Sequence, residues 1–543
     1  MNTYRWSSSC LLLLVGISIL FLGCEGGILD TTPQNTLNSE IYWQSEEDAF
    51  SAVNAIYNEL PGVGEMAWDR YSDIGNLMSP SGDWASIQRG EHGASTGLFQ
   101  NYWDSNYQTI GRVNYFLENV DKVQENDPAA SESLLTRLQA EARVIRAMTY
   151  MRMSFWFGDI PLVTSSISVE EGRGLVPATR EEIVDFIDNE LTQAAGNLPV
   201  EYASSDDIGR ITKGAALGLK ARAMIYNNRW SDARDAALEV MNLGVYDLYD
   251  SYENLFGYAA QNNDEVILDR QYTRDDHSHS FFEAYAPRMM NGSVGISPTR
   301  ILVDAYETEN GLSIEEDPSY DPLDPYSNRD PRLEYTLFLP TFSDDVPGSE
   351  LYNGEIYENR PGTGTADEII IQQNRTNTGF NTRKYVNPED MSDRSNNGTN
   401  FILLRYADIL LMYAEAKIEL NEIDASVYDA INEVRQRPDV NMPEIANTGQ
   451  SQEEMREIVR NERMVELAME GLRYWDVIRW RIAEDVLQGN VPGMDYIPVG
   501  ETEPVQFVSG IINRHFDPDR HYLWPIPEQE LTINSNLTQN PGY

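Results

Sequence analysis

Apolar residues recur at helical spacing over most of the chain. A helix is predicted to begin near Ser45, where Glu46, Glu47 and Asp48 favour a first turn and Ala49, Val53, Ile56 and Leu60 fall on one face. The same period returns at about 104–123, 132–157, 179–195, 212–242, 401–437 and 452–485. Two of these stretches read as helix–turn–helix pairs of similar size. In one, Ala216, Leu219 and Ala223 precede the turn Asn227-Asn228-Arg229-Trp230, and Ala233, Ala236, Ala237 and Val240 follow it. In the other, Ala407, Leu410, Leu411, Ala414 and Ile418 precede Asn421-Glu422-Ile423-Asp424, with Val427, Ala430, Ile431 and Val434 beyond. Small residues at the seams let paired helices approach closely, the packing of tetratricopeptide-like repeats of about 34 residues.

The period fails at about 61–103, 158–178, 244–300, 305–400 and 486–543. The fourth of these carries Asp-Pro at 317–318, 321–322, 324–325 and 330–331, so loop with short strands is expected. The fold class is therefore mainly α: a scaffold of helical pairs with long irregular insertions. Ligand contacts belong on such loops when a rigid scaffold presents them.

The first segment is an address. Residues 1–24 carry Arg5 as their only charge, an apolar run from Leu11 to Leu22, and then Gly23-Cys24. This is a secretory signal, too short for a comfortable membrane span. Phe21-Leu22-Gly23-Cys24 resembles a bacterial lipobox, with Phe21 where Leu or Val is usual. Cleavage would discard Cys10 and leave Cys24 alone, so no disulfide is expected, and a lipid on Cys24 explains the leftover thiol. Residues 1–23 are accordingly read as signal peptide and 24–44 as tether. Residues 45–543 form a single body, with a helical part at 45–245, a loop-rich ligand-facing part at 246–400 and a C-terminal part at 401–543.

Charge narrows the ligands. With 40 Lys+Arg against 87 Asp+Glu the formal charge is −47, which repels nucleic acid and anionic membranes over the whole surface. Only five residues are Lys and 35 are Arg. An acidic, Lys-poor surface suits a protein working in salt, where ions screen its self-repulsion.

Several ordered strings carry a resemblance. They are Ala140-Glu141-Ala142-Arg143 through Gly158-Asp159-Ile160-Pro161-Leu162-Val163, Asn328-Arg329-Asp330-Pro331-Arg332 and Leu404-Arg405-Tyr406-Ala407-Asp408 through Ala414-Glu415-Ala416. Arg460-Asn461-Glu462-Arg463 with Glu466 through Asp476, and Leu523-Trp524-Pro525-Ile526-Pro527 with Asn536 through Tyr543, complete the set. Together they resemble the SusD/RagB family of Bacteroidetes outer-membrane lipoproteins, from the lipobox to the last residue. The resemblance implies a SusD-like α/α superhelix held by lipid on the outer leaflet. It also implies a SusC-like TonB-dependent β-barrel as partner, over which the lipoprotein sits as a hinged lid that captures oligosaccharide or, in some members, peptide.

No catalytic constellation is apparent. Glu466 and Glu470 lie one turn apart among Arg456, Arg460, Arg463 and Arg473, which reads as a structural ion-pair network and not as a hydrolytic carboxylate pair. Asp275, Asp276, His277 and His279 lack the further ligands of a zinc site, and no metal site is expected there. The Asp-Pro run offers oxygen ligands for a structural Ca²⁺ but lacks EF-hand spacing. Gly362-Thr363-Gly364 stands outside any phosphate-loop context, and Gly-x-Ser-x-Gly is absent.

Aromatics mixed with polar residues in the loops are the better signal, because sugar C–H faces stack on aromatic rings while Asn, Asp, Arg and Gln bind hydroxyls. Trp68, Arg70, Tyr71, Asp83, Trp84, Tyr272, Phe281, Tyr285 and Arg288 are the candidate contacts. Trp475, Trp480 and Trp524 lie in the scaffold strings and are assigned to the core. The expected function is capture of a glycan without catalysis. The alternatives are a peptide or other nutrient on the same fold, and an all-α secreted glycoside hydrolase.

Overall fold

A computed structural model describes residues 42–77, 79, 81–369 and 375–543. The signal segment, Cys24 and the tether up to residue 41 lie outside the described residues. Helix α1 (Glu46–Tyr57) starts where expected: the Ser45 hydroxyl accepts from the Asp48 N–H, and the Asp48 carboxylate accepts the Ser45 N–H in return. The remaining long scaffold helices are α2 (Gly97–Asn119), α3 (Glu132–Phe157), α4 (Arg180–Asn197), α5 (Lys213–Ile225), α6 (Trp230–Met241), α7 (Tyr406–Glu419), α8 (Ala425–Arg435), α9 (Gln452–Glu466) and α10 (Arg473–Arg479).

From α2 to α8 each of these helices packs on the next, and α6 packs on α7 although the whole of 242–405 lies between them in sequence. The scaffold is thus a continuous coil of helices from which the insertion bulges. Both helix–turn–helix pairs are present, α5 with α6 and α7 with α8. Each turn carries an Asn in the left-handed region, Asn228 at φ 57° and Asn421 at φ 58°, a conformation Asn tolerates better than other side-chain-bearing residues.

Two expectations need correction. The apolar run 401–405 is not the start of a helix: it is strand β2 (Phe401–Arg405), paired antiparallel with β1 (Val266–Arg270). Five apolar-rich residues fit either period, and the insertion supplies the partner strand that decides it. The stretch 452–485 is broken between α9 and α10, where Met469 (φ 59°) and Gly471 (φ 82°) turn the chain. A Cβ on Gly471 would collide with the backbone of Glu65, so the turn needs glycine both for its φ and for its close approach to the 63–71 segment. The C-terminal region holds a hairpin, β3 (Gly489–Tyr496) with β4 (Val505–Arg514).

There are two large apolar cores. One fills the helical coil. The other, built on Tyr252, Phe256, Phe281, Phe338, Tyr357 and Tyr385, belongs mainly to the insertion and reaches the scaffold at Val465, Ala468 and Met469. Between them lies a buried ion-pair network. The Glu466 carboxylate accepts from Arg405 at 2.7 Å, Arg332 at 2.9 Å and Arg437 at 3.0 Å. Arg405 also binds Glu470 and Glu265, and Arg332 also binds Asp330 and Glu462. Burial alone would raise the Glu466 carboxyl, but its three guanidinium partners hold it well below the usual carboxylate range. A second cluster joins α5, α7, α9 and α10: Asp408 accepts from Arg222 at 2.6 Å and Arg463 at 2.8 Å. Burial opposes its charge, yet the two guanidinia pull the Asp408 carboxyl down to about 2. The Glu466/Glu470 pair is structural, as its Arg neighbours in the sequence suggest.

Candidate ligand-binding face

The 3₁₀ segment Val63–Tyr71 and the short helix Asp83–Gln88 carry the first group of candidate residues. The former is pinned to the start of α10. Asp69, fully buried, accepts the N–H groups of Gly471 at 2.9 Å and Arg473 at 3.1 Å, and Asp73 pairs with the Arg473 side chain at 2.7 Å. Burial pushes the Asp69 carboxyl up to about 7 against those donors. The short helix is held to α2 by Asp83, whose carboxylate accepts the Leu98 N–H at 3.0 Å, and to the hairpin by Ala85 and Trp84, which pack with Leu77 and Ile512.

These anchors bring most of the sequence-selected residues into one row. Tyr71 stacks on Trp84 with centroids 5.4 Å apart and an interplanar angle of 17°. The Arg70 guanidinium lies 5.7 Å over the Trp84 ring. Tyr285 packs on Phe281 at 4.5 Å, and Phe281 reaches Tyr272 through His279. Behind Trp84, Trp68 packs against Trp156 at 5.8 Å and Trp524 at 5.4 Å.

Within that row the roles differ from those read in the sequence. Trp68 (6% exposed), Tyr71, Tyr272, Phe281 and Tyr285 are buried. Their ring faces are already covered by other rings, so they support the surface and do not form it. Trp84 and Arg70 are half-buried, while Asp83 and Arg288 are exposed. Arg288 stands apart from the row, with its guanidinium on the Gly292 carbonyl and its N–H on Asp367. Trp475, Trp480 and Trp524 are buried, as assigned. Both ring nitrogens of His279 are engaged, Nε2 with the Thr399 carbonyl and Nδ1 as acceptor of the Phe281 N–H. Of the Asp-Pro run, Asp317 is taken up by Thr308, Asn310 and Ser319, and Asp330 by Arg332. Among the described residues no three His, Cys, Asp or Glu side chains converge to hold a metal ion.

The geometry is therefore a half-exposed indole backed by stacked aromatics and flanked by one carboxylate and one guanidinium. It suits recognition of a neutral, hydroxyl-rich ring and contains no pair of groups placed for acid–base hydrolysis. Family models account for nearly the whole chain: one described as SusD family matches 256–543, and one described as starch-binding associating with outer membrane matches 28–225. The chain belongs to the SusD family.

SusD-like protein P25 of Formosa agariphila is 25% identical over 98% of this chain and 99% of its own length. A SusD-like carbohydrate binding protein of Bacteroides fragilis superposes with a TM-score of 0.82 at 29% identity, covering 92% of this chain and all of that one. A laminarin binding SusD-like protein, 22% identical, shares the fold with a TM-score of 0.69 over 92% of this chain and 100% of its own. In this SusD-family chain three of the recognisable strings meet in one clamp: Asp330 and Arg332, Arg405, Glu466 and Glu470 form the network between the two cores. Sequence reading missed a different group, an arginine-lined cleft near Tyr522, because its side chains come from separate elements that no local pattern links.

Proposed function

We propose that this chain is a non-enzymatic, surface-exposed lipoprotein of the outer membrane that binds an oligosaccharide at the Trp84 face and delivers it to a SusC-like TonB-dependent β-barrel. The observation that carries the binding role is the Trp84 ring, supported by Tyr71 and flanked by Asp83 and Arg70. The carbohydrate-binding description of the Bacteroides fragilis relative supports a sugar as ligand. Lipid on Cys24 is the proposed anchor. It fits the lipobox-like string, the family description that refers to the outer membrane, and the finding that no helix among the described residues is long and apolar enough to cross a membrane.

Affinity electrophoresis through a polysaccharide panel including laminarin tests the ligand. Retardation by at least one glycan, lost in Trp84→Ala, is expected. No retardation by any polysaccharide, with binding of oligopeptides instead, would replace sugar by peptide. Incubation with the retarding glycan should release no reducing ends, and sustained turnover would make the protein an enzyme. Mass spectrometry of the native mature product should find an acylated Cys24.

A further inference from the structure

A cleft of about 660 Å³ opens where α3, α4, the α5–α6 turn and α10 meet the Tyr522 segment. Arg180, Arg229, Arg479 and Arg481 line it together with one carboxylate, Glu181, and the rings of Phe155, Tyr226 and Tyr522. Four guanidinium groups around one opening are unexpected in a chain of net charge −47. Two of them are already compensated. Arg229 pairs with Asp185 at 2.5 Å, and Arg479 with Glu415 at 2.6 Å and Asp476 at 2.7 Å.

The other two are not. Arg180 donates to the Asn227 side-chain oxygen at 2.7 Å and the Tyr226 carbonyl at 3.3 Å and lies 5.5 Å over the Phe155 ring. Arg481 lies on the face of Tyr522, 3.4 Å from its centroid. Neither forms an ion pair with a carboxylate among the described residues. Burial pushes the Arg180 guanidinium down from its ordinary value, with Asp159 the one charge that opposes it. Arg180 is half-buried with its backbone N–H on Asp159 at 2.8 Å, and Arg481 is exposed, so an oxyanion entering the cleft meets one partly desolvated and one solvent-facing guanidinium, neither engaged by a carboxylate through its side chain. Guanidinium forks match carboxylate and sulfate oxygens in pairs, which favours such groups over a point charge.

We propose that this cleft binds the carboxylate or sulfate half-ester of an acidic saccharide, with Arg180 and Arg481 as the charge-bearing contacts. The oxyanion follows from the cleft alone; the saccharide rests on the glycan-binding reading above. The site is separate from the Trp84 face, with the rings of Phe155, Trp156, Trp68 and Trp84, spaced 4.8, 5.8 and 6.3 Å, among those that lie between them.

Isothermal titration with trigalacturonate, a sulfated κ-carrageenan tetrasaccharide, inorganic sulfate and neutral maltotriose tests it. Arg481 has φ 59°, so Arg481→Asn removes the charge while keeping a residue that tolerates the left-handed region. At least one acidic saccharide should bind, more weakly as NaCl rises. Its affinity should fall about tenfold or more in Arg481→Asn and in Arg180→Gln. Arg481→Lys should recover part of the loss, Trp84→Ala should leave this binding intact, and thermal midpoints establish that each variant folds. No binding of either acidic saccharide overturns the proposal, as does binding that is unchanged in both charge-removing variants. Binding of inorganic sulfate alone would overturn the saccharide and leave an anion site. Failure of the Trp84 reading shows separately, as neutral-glycan binding that Trp84→Ala does not alter.

Discussion

Replacing each of two tryptophans by alanine separates support from contact. Trp68 is 6% exposed and packs against the stacked pair Trp156 and Trp524, so Trp68→Ala leaves a cavity beside them. Such truncations cost about 3–5 kcal/mol. Unfolding entropy is about 2.1 cal/mol/K per residue, or about 1 kcal/mol/K for a cooperative unit of about 500 residues, so the thermal midpoint should drop by about 3–5 °C. Trp84 is half-buried and stacks on Tyr71 by one face, so Trp84→Ala should cost about 1–2 kcal/mol and about 1–2 °C. Binding should respond in the opposite order. A sugar covering about 80 Å² of the Trp84 ring gains about 2 kcal/mol, so its removal weakens affinity about 30-fold. Differential scanning fluorimetry and affinity electrophoresis on the same preparations give both numbers. A Trp84→Ala midpoint as low as that of Trp68→Ala, or an unchanged affinity for every glycan that retards the wild type, would refute the assignment of Trp84 as the contact.

Glu466→Gln leaves Arg332, Arg405 and Arg437 facing a neutral amide, and breaking a buried pair in this way should cost about 3–5 kcal/mol, read by urea denaturation. Burial depresses the His92 imidazole to about 3, helped by the neighbouring His521 and Arg520, and the His521 imidazole to about 4, helped by Arg520 and His515. Their folded values lie below the unfolded value, so as pH falls below about 6.5 the unfolded chain takes up protons that the folded one refuses, and each ring costs about 1.4 kcal/mol per pH unit until its own folded value is reached. Asp69, raised to about 7, acts in the opposite sense: between the unfolded value of 3.8 and about 7 the folded state holds the extra proton and gains stability as pH falls. Ring-specific NMR titration is therefore the appropriate measurement, and neither imidazole should titrate between pH 5 and pH 8. Raising NaCl should raise the thermal midpoint, because Arg332, Arg405, Arg437 and Arg463 are sequestered inside while the acidic surface is left to repel itself.

Most of the scaffold was legible because its signal is local. The seam residues of α5, α6, α7 and α8 repeat every three to four positions, and each turn carries its own Asn, so no distant partner is needed to recognise the pairs. Strand β2 was misread because five residues cannot distinguish the two periods and its partner β1 lies far away in sequence. The charged face of α9 was recognised as structural, but not that Glu462, Arg463 and Glu466 are buried, since Asp408, Arg332, Arg405 and Arg437 come from other segments. Loop composition picked out residues that the fold brings together around Trp84. It did not tell Trp68 from Trp84, because a loop has no period to mark an inward side, and burial there is set by rings from α3 and the C-terminal region.

The strings that identify the family and the residues proposed to meet the ligand do different physical work. Arg332, Arg405, Glu466 and Glu470 hold the insertion against the helical coil, and the Gly471 turn and Arg473 fix the 63–76 segment through Asp69 and Asp73. A buried network of this kind loses more from one missing partner than it gains from all of them, so the clamp tolerates little change. Trp84, Asp83 and Arg70 stand at the end of that support and Arg180 and Arg481 line their cleft, and substituting any of them breaks no buried ion pair. Matching the clamp therefore predicts the frame, while the side chains proposed to meet the ligand lie outside the matched strings. That is why measurements on Trp84 and Arg481, and not further comparison of the strings, determine what this protein binds.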